Sequence, residues 1–394
     1  MAIIKKDKNK ILFEVESNIN LECNGINQIP NAEAKVVLNE DNISIFPSGW
    51  GTYIFSFREI ISIKAQDYTL KLFLNKGSIL TITQLGYQYE DFVRMLTKLR
   101  NEVILKDMLF QETLKKSGFE ADFSFFDNKN ELIQKGKTDF TFYQTSLVIL
   151  PEQGDLLRVL FSNILEMTFD NFQIEIKMEN GEKIVISMLG DKFNLFKETL
   201  ETCLNEINLD VQKFIKSIWP EIDFEILNKL SKIIRDGKAI NNKEVEILAP
   251  EFWDKIEKAL SRTEIKDEYE FLKNLSSQDQ IYIGFKKGLM GKLTGDYLWF
   301  LIPIIKSNVV AFETAGEKDT GRATYFFRIT SRKTKEIPIN DISQTISKIN
   351  RGLIAINFRR EPIYLSEEKL DEPDYIKYRF SMARVPEIKL LRDL

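Results

Sequence analysis

Leu70-Lys71-Leu72-Phe73-Leu74-Asn75-Lys76-Gly77 and Ile174-Glu175-Ile176-Lys177-Met178-Glu179-Asn180-Gly181 decide how this chain folds. Each is an alternating apolar run that ends at a glycine, and the second follows the first by 104 positions, as from Gly77 to Gly181. The same step carries Ile60, Ile82, Leu85, Gly86, Phe92, Leu96 and Glu102 onto Ile164, Ile186, Leu189, Gly190, Phe196, Leu200 and Glu206. Upstream it carries Ile43, Ile45 and Pro47 onto Leu147, Ile149 and Pro151. An offset held without a gap over so many positions marks one folding unit copied whole, across residues 11–107 and 115–211.

Within the first copy, runs rich in β-branched and aromatic residues at 11–22, 33–39, 42–47, 52–57, 60–65, 68–75 and 78–84 read as seven strands. Turn chemistry separates them at Asn39-Glu-Asp-Asn42, Ser48-Gly-Trp-Gly51 and Asn75-Lys-Gly77. Alternation in Leu70-Lys-Leu-Phe-Leu74 gives that strand one core face and one wet face. The period then lengthens: Phe92, Leu96, Leu99 and Val103 fall on one helical face, as do Phe193, Phe196, Leu200, Cys203 and Ile207 in the second copy. Cys203 stands where Leu99 stands in the first copy, which makes it a core residue.

Seven short strands closed by one amphipathic helix resembles the pleckstrin-homology (PH) superfold. Phe57-Arg-Glu-Ile-Ile-Ser-Ile63, followed by Leu70-Lys-Leu72 and Lys76-Gly77, is similar to the bacterial PH and GRAM-like pattern. The resemblance covers roughly residues 11–211. It implies an α+β fold with two tandem PH-like seven-stranded barrels, each capped by a C-terminal helix. It also implies binding to proteins through an open strand edge or loops, to anionic lipids, or, since tandem PH modules occur in histone chaperones, to chromatin-type partners.

Between 207 and 276 the period is helical, with Val211, Phe214, Ile215 and Ile218 on one face, and Phe224, Leu227, Leu230 and Ile234 on the next after Pro220. Strand patterns return at 281–286, 297–305, 308–313 and 322–330, then a helix near 341–350 and strands at 353–358 and 362–365. The expected partition is a PH-like domain at 1–110, a second at 111–212, a helical linker at 213–279 and a basic mixed α/β domain at 280–394. A third PH-like unit is the alternative for the last part, because Ile283-Gly-Phe-Lys-Lys-Gly288 and Trp299-Phe-Leu301 resemble the first hairpin of lipid-binding PH domains.

Composition removes whole classes of chemistry. The 394 residues include no histidine and 2 cysteines, which excludes His-based nucleophile systems, His-ligated metals and a four-ligand cysteine zinc site. No cofactor or metal is expected. The net charge is −4, yet residues from 280 onward hold 20 Lys and Arg against 14 Asp and Glu, so the C-terminal third is basic. The N-terminus lacks the apolar stretch of a signal peptide, and Tyr297–Ile305 is too short to span a bilayer. A cytoplasmic protein is expected, with a peripheral membrane position as the alternative.

Three lysines, Lys286, Lys287 and Lys292, lie among Gly284, Gly288, Gly291 and Gly295 and form the one phosphate-suggestive stretch. They are the candidate ligand residues, with anionic lipid as the ligand that the PH resemblance implies. The arginines which that family places just before the tryptophan are replaced by Asp296-Tyr297. Lys135-Gly-Lys-Thr138 and Gly288-Leu-Met-Gly-Lys-Leu-Thr294 both depart from the P-loop pattern. Arg351, Arg359, Arg360, Arg379 and Arg384 with Tyr364, Tyr375, Tyr378 and Phe380 suggest a stacking surface for nucleic acid, but Glu361, Glu367, Glu368, Asp371, Glu372 and Asp374 neutralise it. Asp122, Asp127, Asp139, Glu317 and Asp319 have no spacing that places two across a substrate, so no catalytic residue is assigned. The expected function is non-enzymatic binding or scaffolding, with a protein partner.

Overall fold

The structure is a computed structural model, and it describes residues 11–108, 112–288, 296–315, 324–329, 342–376, 378–379, 382 and 386–394. The chain divides into two compact units: Leu160–Ser162 and Lys197–Leu394 belong to the second, and most of the residues before Lys197 to the first.

In the first unit, β1 (Phe13–Cys23), β2 (Ile26–Leu38), β3 (Asn42–Pro47), β4 (Tyr53–Ser56), β5 (Ile60–Gln66), β6 (Thr69–Leu74) and β7 (Ser78–Thr83) precede helix α1 (Tyr89–Met108). They form a seven-stranded sheet in the order β4-β3-β2-β1-β7-β6-β5. The second copy supplies β8 (Leu114–Phe126), β9 (Leu132–Tyr143), β10 (Ser146–Pro151), β11 (Leu157–Leu160), β12 (Ile164–Asp170), β13 (Gln173–Met178) and β14 (Lys183–Ser187), ordered β11-β10-β9-β8-β14-β13-β12. Helix α2 (Phe193–Ile218) follows.

The two sheets agree in register as well as order. Glu16 opposes Lys35 and Leu70 opposes Ile82, as Glu120 opposes Asp139 and Ile174 opposes Ile186. The bulge between Ile60 and Ser62 recurs between Ile164 and Glu166. Left-handed backbone recurs too: Asp67 and Tyr68 (φ 50° and 54°) match Asn171 and Phe172 (φ 47° and 58°). An aromatic residue in that region is strained, and in each copy its ring packs on the first helical residue, Tyr68 on Tyr89 at 5.3 Å and Phe172 on Phe193 at 5.5 Å. Gly77 is needed at φ 77° because a Cβ there would lie 2.8 Å from Asn24 Oδ1.

Inward positions build the first sheet's core. Leu70, Leu72, Leu80 and Ile82 are buried and meet Phe92, Leu96, Leu99 and Val103 of α1. In the second sheet Phe196 makes edge contacts with Phe119, Phe140 and Phe142. One element is longer than its hydrophobic pattern suggests: β2 starts at Ile26, since Asn24 and Gly25 (φ 51° and 80°) close a tight hairpin with β1. Asn-Gly is the dipeptide that such a turn favours.

The second unit is layered. Helices α3 (Phe224–Ile233), α4 (Asn242–Glu246), α5 (Pro250–Leu260) and α6 (Lys266–Lys273) are followed, among the described residues, by β16 (Tyr282–Lys287), β17 (Asp296–Ile304), β18 (Val309–Thr314) and β19 (Tyr325–Arg328). With β15 (Ala239–Asn241), which lies between α3 and α4, these strands make an antiparallel sheet in sequence order. Alternation sends Ile283, Phe285, Phe300 and Ile302 into one core with Phe214, Leu227, Phe252 and Trp253. The opposite face, with Tyr282, Trp299, Leu301 and Phe312, packs on Ile346, Ile349 and Leu353 of helix α7 (Ile342–Ala355). Residues 213–279, expected as a linker, therefore supply one strand and one apolar layer of this unit.

Two expectations are corrected here. The C-terminal sheet is covered by helices on both faces and runs in sequence order, unlike the third PH-like unit held as an alternative. Residues 353–358 and 362–365 are not strands: α7 extends to Ala355 and α8 (Glu361–Tyr364) follows. Their β-branched residues suit a strand locally, but Ile346, Ile349 and Leu353 sit at helical spacing and bury one stripe on the sheet, which outweighs propensity. Short helix α9 (Glu367–Leu370) and α10 (Pro386–Asp393) complete the described chain.

Candidate functional site

In the first unit a polar network joins its two copies. Arg100 of α1 is fully buried; it donates from Nε to the Ile60 carbonyl at 3.0 Å, from Nη2 to the Ile61 carbonyl at 2.5 Å, and from Nη1 to Asp155 at 2.5 Å. The next residue, Asn101, donates to the Gly154 carbonyl at 3.0 Å. Arg158 donates to the Met108 carbonyl at 3.1 Å and to Ser146 Oγ at 3.3 Å. Between these contacts Ile104 and Leu105 pack on Val148 and Leu156, with Met108, Tyr143 and Leu150 at the rim. The first copy's helix thus covers the β10–β11 face of the second copy. Arg58 and Asp107 brace the same helix with two hydrogen bonds of 2.7 Å and 3.0 Å. That pairing raises the Arg58 pKa above its ordinary value, against the opposing effect of burial.

The corresponding face of the first copy differs: Ser44, in the place of Val148, is buried, and Thr52, in the place of Leu156, is exposed. Phe46, Trp50 and Ile54 occupy the places of Leu150, Gly154 and Arg158, and they are 45%, 49% and 64% exposed. Their neighbours in register, Ile45 and Tyr53, point into the core, so Phe46 and Ile54 belong to the outward side. Gly51 replaces Asp155.

A cavity of about 560 Å³ lies in the second copy where β8 pairs with β9, lined in part by Glu120, Asp122, Lys137, Asp139 and Glu152. The cavity brings Asp122 and Asp139 together, which their separation in sequence hides; the β8–β9 register is the signal that reveals it. Glu120 lies directly opposite Asp139, whereas the first copy has Glu16 opposite Lys35. Partial burial holds the Asp139 carboxyl above its ordinary pKa, and Glu120 and Glu152 add to this while Lys98 and Lys192 oppose it. Such a cavity favours cationic groups electrostatically. Asp127 has a local task, accepting from the backbone N–H groups of Lys129 and Glu131 at the β8–β9 turn. Glu317 and Asp319 lie outside the described residues.

The basic hairpin is internally neutralised where it is described. Lys286 is buried, and its ammonium pairs with Asp236 at 2.5 Å. Lys287 pairs with Asp210 at 2.8 Å, and its backbone N–H donates to Asp236 at 2.8 Å. Burial opposes ionisation of Asp210, but the bonds from Lys287 and Lys213 hold its pKa below the ordinary value. Gly284 is a packing glycine: a Cβ there would lie 2.1 Å from Trp299 Cζ2 on the facing strand. Lys292, Gly291 and Gly295 lie outside the described residues. The arginine-rich tail is likewise engaged. Arg360 is buried against Glu313 at 2.8 Å and Thr314 at 2.9 Å, and Arg379 pairs with Asp371. Arg384 and Phe380 lie outside the described residues.

Among the described residues no helix is long and apolar enough to cross a membrane. No family model matches the chain. No curated protein matches it either. Among solved structures, "Structure of the Spt16D Pob3N heterodimer" aligns with 43% of this chain and 85% of that chain, at 14% identity and a TM-score of 0.18. That score is too low for the alignment to support a fold or a function.

Proposed function

We propose that this chain is a non-enzymatic binding or scaffold protein built on two tandem PH-like barrels, each capped by its C-terminal helix, with a protein as its partner. Seven strands followed by a helix, in the order β4-β3-β2-β1-β7-β6-β5 and its counterpart in the second copy, support this reading. One observation carries the reading. Across the constant offset the inward residues keep their apolar character, while outward ones change kind: Ser44, Trp50, Gly51, Thr52 and Ile54 become Val148, Gly154, Asp155, Leu156 and Arg158, and Lys35 becomes Asp139. A duplicated core with differentiated surfaces is suited to holding two different contacts at a fixed spacing, and a shared seam that excludes free rotation keeps their effective concentration high. Fold alone does not choose a function, and the surfaces are what support this one.

The test is affinity capture on immobilised full-length protein from native lysate, read by mass spectrometry, beside sedimentation with phosphatidylserine vesicles at physiological salt. The expected result is a reproducible protein partner and no vesicle binding. Vesicle binding that disappears in a Lys286→Ala, Lys287→Ala, Lys292→Ala variant would replace this reading with membrane attachment.

A further inference from the structure

We infer that Asn24, at the tip of the β1–β2 hairpin, is a site of spontaneous covalent modification: its side-chain amide is lost as a succinimide forms with Gly25, and water opens that ring to aspartate or isoaspartate.

Asparagine amides are chemically labile, and a following glycine offers its backbone nitrogen with no side chain to block the approach. In the first step the Gly25 nitrogen attacks Asn24 Cγ. The N–Cγ bond forms, the Cγ–Nδ2 bond breaks, and ammonia leaves with the proton that the Gly25 nitrogen gives up. Water then adds to one of the two ring carbonyls. Opening at Cγ gives aspartate on an ordinary backbone, whereas opening at the Asn24 backbone carbonyl gives isoaspartate, in which the chain runs through Cβ.

The sequence holds two Asn-Gly steps, Asn24-Gly25 and Asn180-Gly181, and the fold treats them differently. Asn24 and Gly25 are exposed. Neither the Asn24 side chain nor the Gly25 N–H has a hydrogen-bond partner among the described residues. The Asn24 N–H makes only a long bond, 3.4 Å, to the Gly77 carbonyl. At the other step both reacting groups are engaged: Asn180 Oδ1 accepts from the Glu182 N–H at 3.1 Å, and the Gly181 N–H donates to the Met178 carbonyl at 2.9 Å. Both bonds must break before attack, which slows Asn180 by at least about tenfold relative to Asn24.

Attack also requires the Asn24–Gly25 peptide to rotate out of the turn. Opening the terminal Cys23–Ile26 pair is sufficient, and the paired Leu21 and Ile29 behind it stay buried, so the fluctuation is local. The second copy lacks the site. Its turn is shaped by Asp127, which accepts from the N–H groups of Lys129 and Glu131, and residues 127–131 hold no Asn-Gly step. Modification therefore adds a negative charge to the hairpin tip of the first copy alone, and isoaspartate lengthens the backbone of its turn.

The test is to age the full-length protein in mildly alkaline buffer, folded and in urea. The tryptic peptides Ile11–Lys35 and Met178–Lys183, which carry the two steps, are then compared with an unaged sample by mass spectrometry, and isoaspartate is counted with a protein isoaspartyl methyltransferase. In the folded protein Asn24 should convert at least about tenfold faster than Asn180; in urea, where both steps are free, the two rates should converge. Asn24→Gly, which keeps a residue suited to the turn, should remove the isoaspartate signal from Ile11–Lys35. Equal rates at the two steps in the folded protein overturn the inference. So does an Asn24 that stays intact while the urea sample converts, or an isoaspartate signal that persists in Asn24→Gly.

Discussion

Replacing Asp155 by alanine tests the seam between the two copies, because an exposed loop residue is expected to behave like a buried one. Asp155 is 61% exposed and its partner Arg100 is 1% exposed. An ordinary exposed substitution changes stability by within about 0.5 kcal/mol. Here the alanine leaves a buried guanidinium with only the Ile60 and Ile61 carbonyls and Asn101 Oδ1. A hydrogen bond to a charged group contributes roughly 1.5–3 kcal/mol, and water entering beside residue 155 recovers part of it, so a loss of about 2 kcal/mol follows. For a unit of this size that corresponds to a fall of about 4–8 °C in its melting transition. Arg100→Met removes the buried charge itself and leaves Asp155 in water. In the Arg100→Met background, Asp155→Ala should therefore cost almost nothing, giving a coupling of about 2 kcal/mol in a double-mutant cycle. Scanning calorimetry of the full-length protein measures all four corners. A shift under about 1 °C for Asp155→Ala, or additive single changes, would refute the assignment of Arg100 as a buried cation that depends on this carboxylate.

Two further outcomes are expected. Leu72→Asp or Ile176→Asp, both at fully buried inward positions, should unfold the affected copy, since an unpaired buried charge costs several kcal/mol; Lys71→Glu on the exposed side of the same strand should be nearly silent, and equal effects in thermal melts would show that the strand faces the other way. Asp139→Asn should raise stability near pH 7 by roughly 0.5 kcal/mol, because it removes a like-charge pair with Glu120. The folded carboxyl has a raised pKa, so its unfavourable contribution is present above that value and absent below the unfolded value of about 3.9. The gain from asparagine should therefore disappear in urea titrations as pH falls through the acidic range, and a gain that grows on acidification would contradict it.

Much of the first unit was legible in the sequence because it occurs there twice. A core position tolerates few side chains, so Leu70, Leu72 and Ile82 had to recur as Ile174, Ile176 and Ile186, and that recurrence also carried the strand registers and the left-handed turns at Tyr68 and Phe172. The second unit has no such internal copy. Its strands near 281–313 could be read from their apolar runs, but Ile354 and Ile356 read locally as strand, and only the stripe made by Ile346, Ile349 and Leu353 against the sheet selects a helix. Sequence shows the charge of Lys286 and Lys287 and not their counter-charges: Asp236, just after α3, and Asp210 of α2, distant along the chain, meet them only once these helices and β16 are folded. The glycine near them, Gly284, leaves room for Trp299 on the next strand. The seam had the weakest signal of all. Arg100 and Asp155 lie 55 positions apart, their counterparts across the offset are Leu204 and Gly51, and a hydrogen bond between residues that differ from their own counterparts leaves no periodicity to find. Sequence alone determined the duplicated core, where equivalent packing demands apolar residues at equivalent positions; tertiary structure decided which outward face the first copy's helix covers, because that depends on where the helix comes to rest.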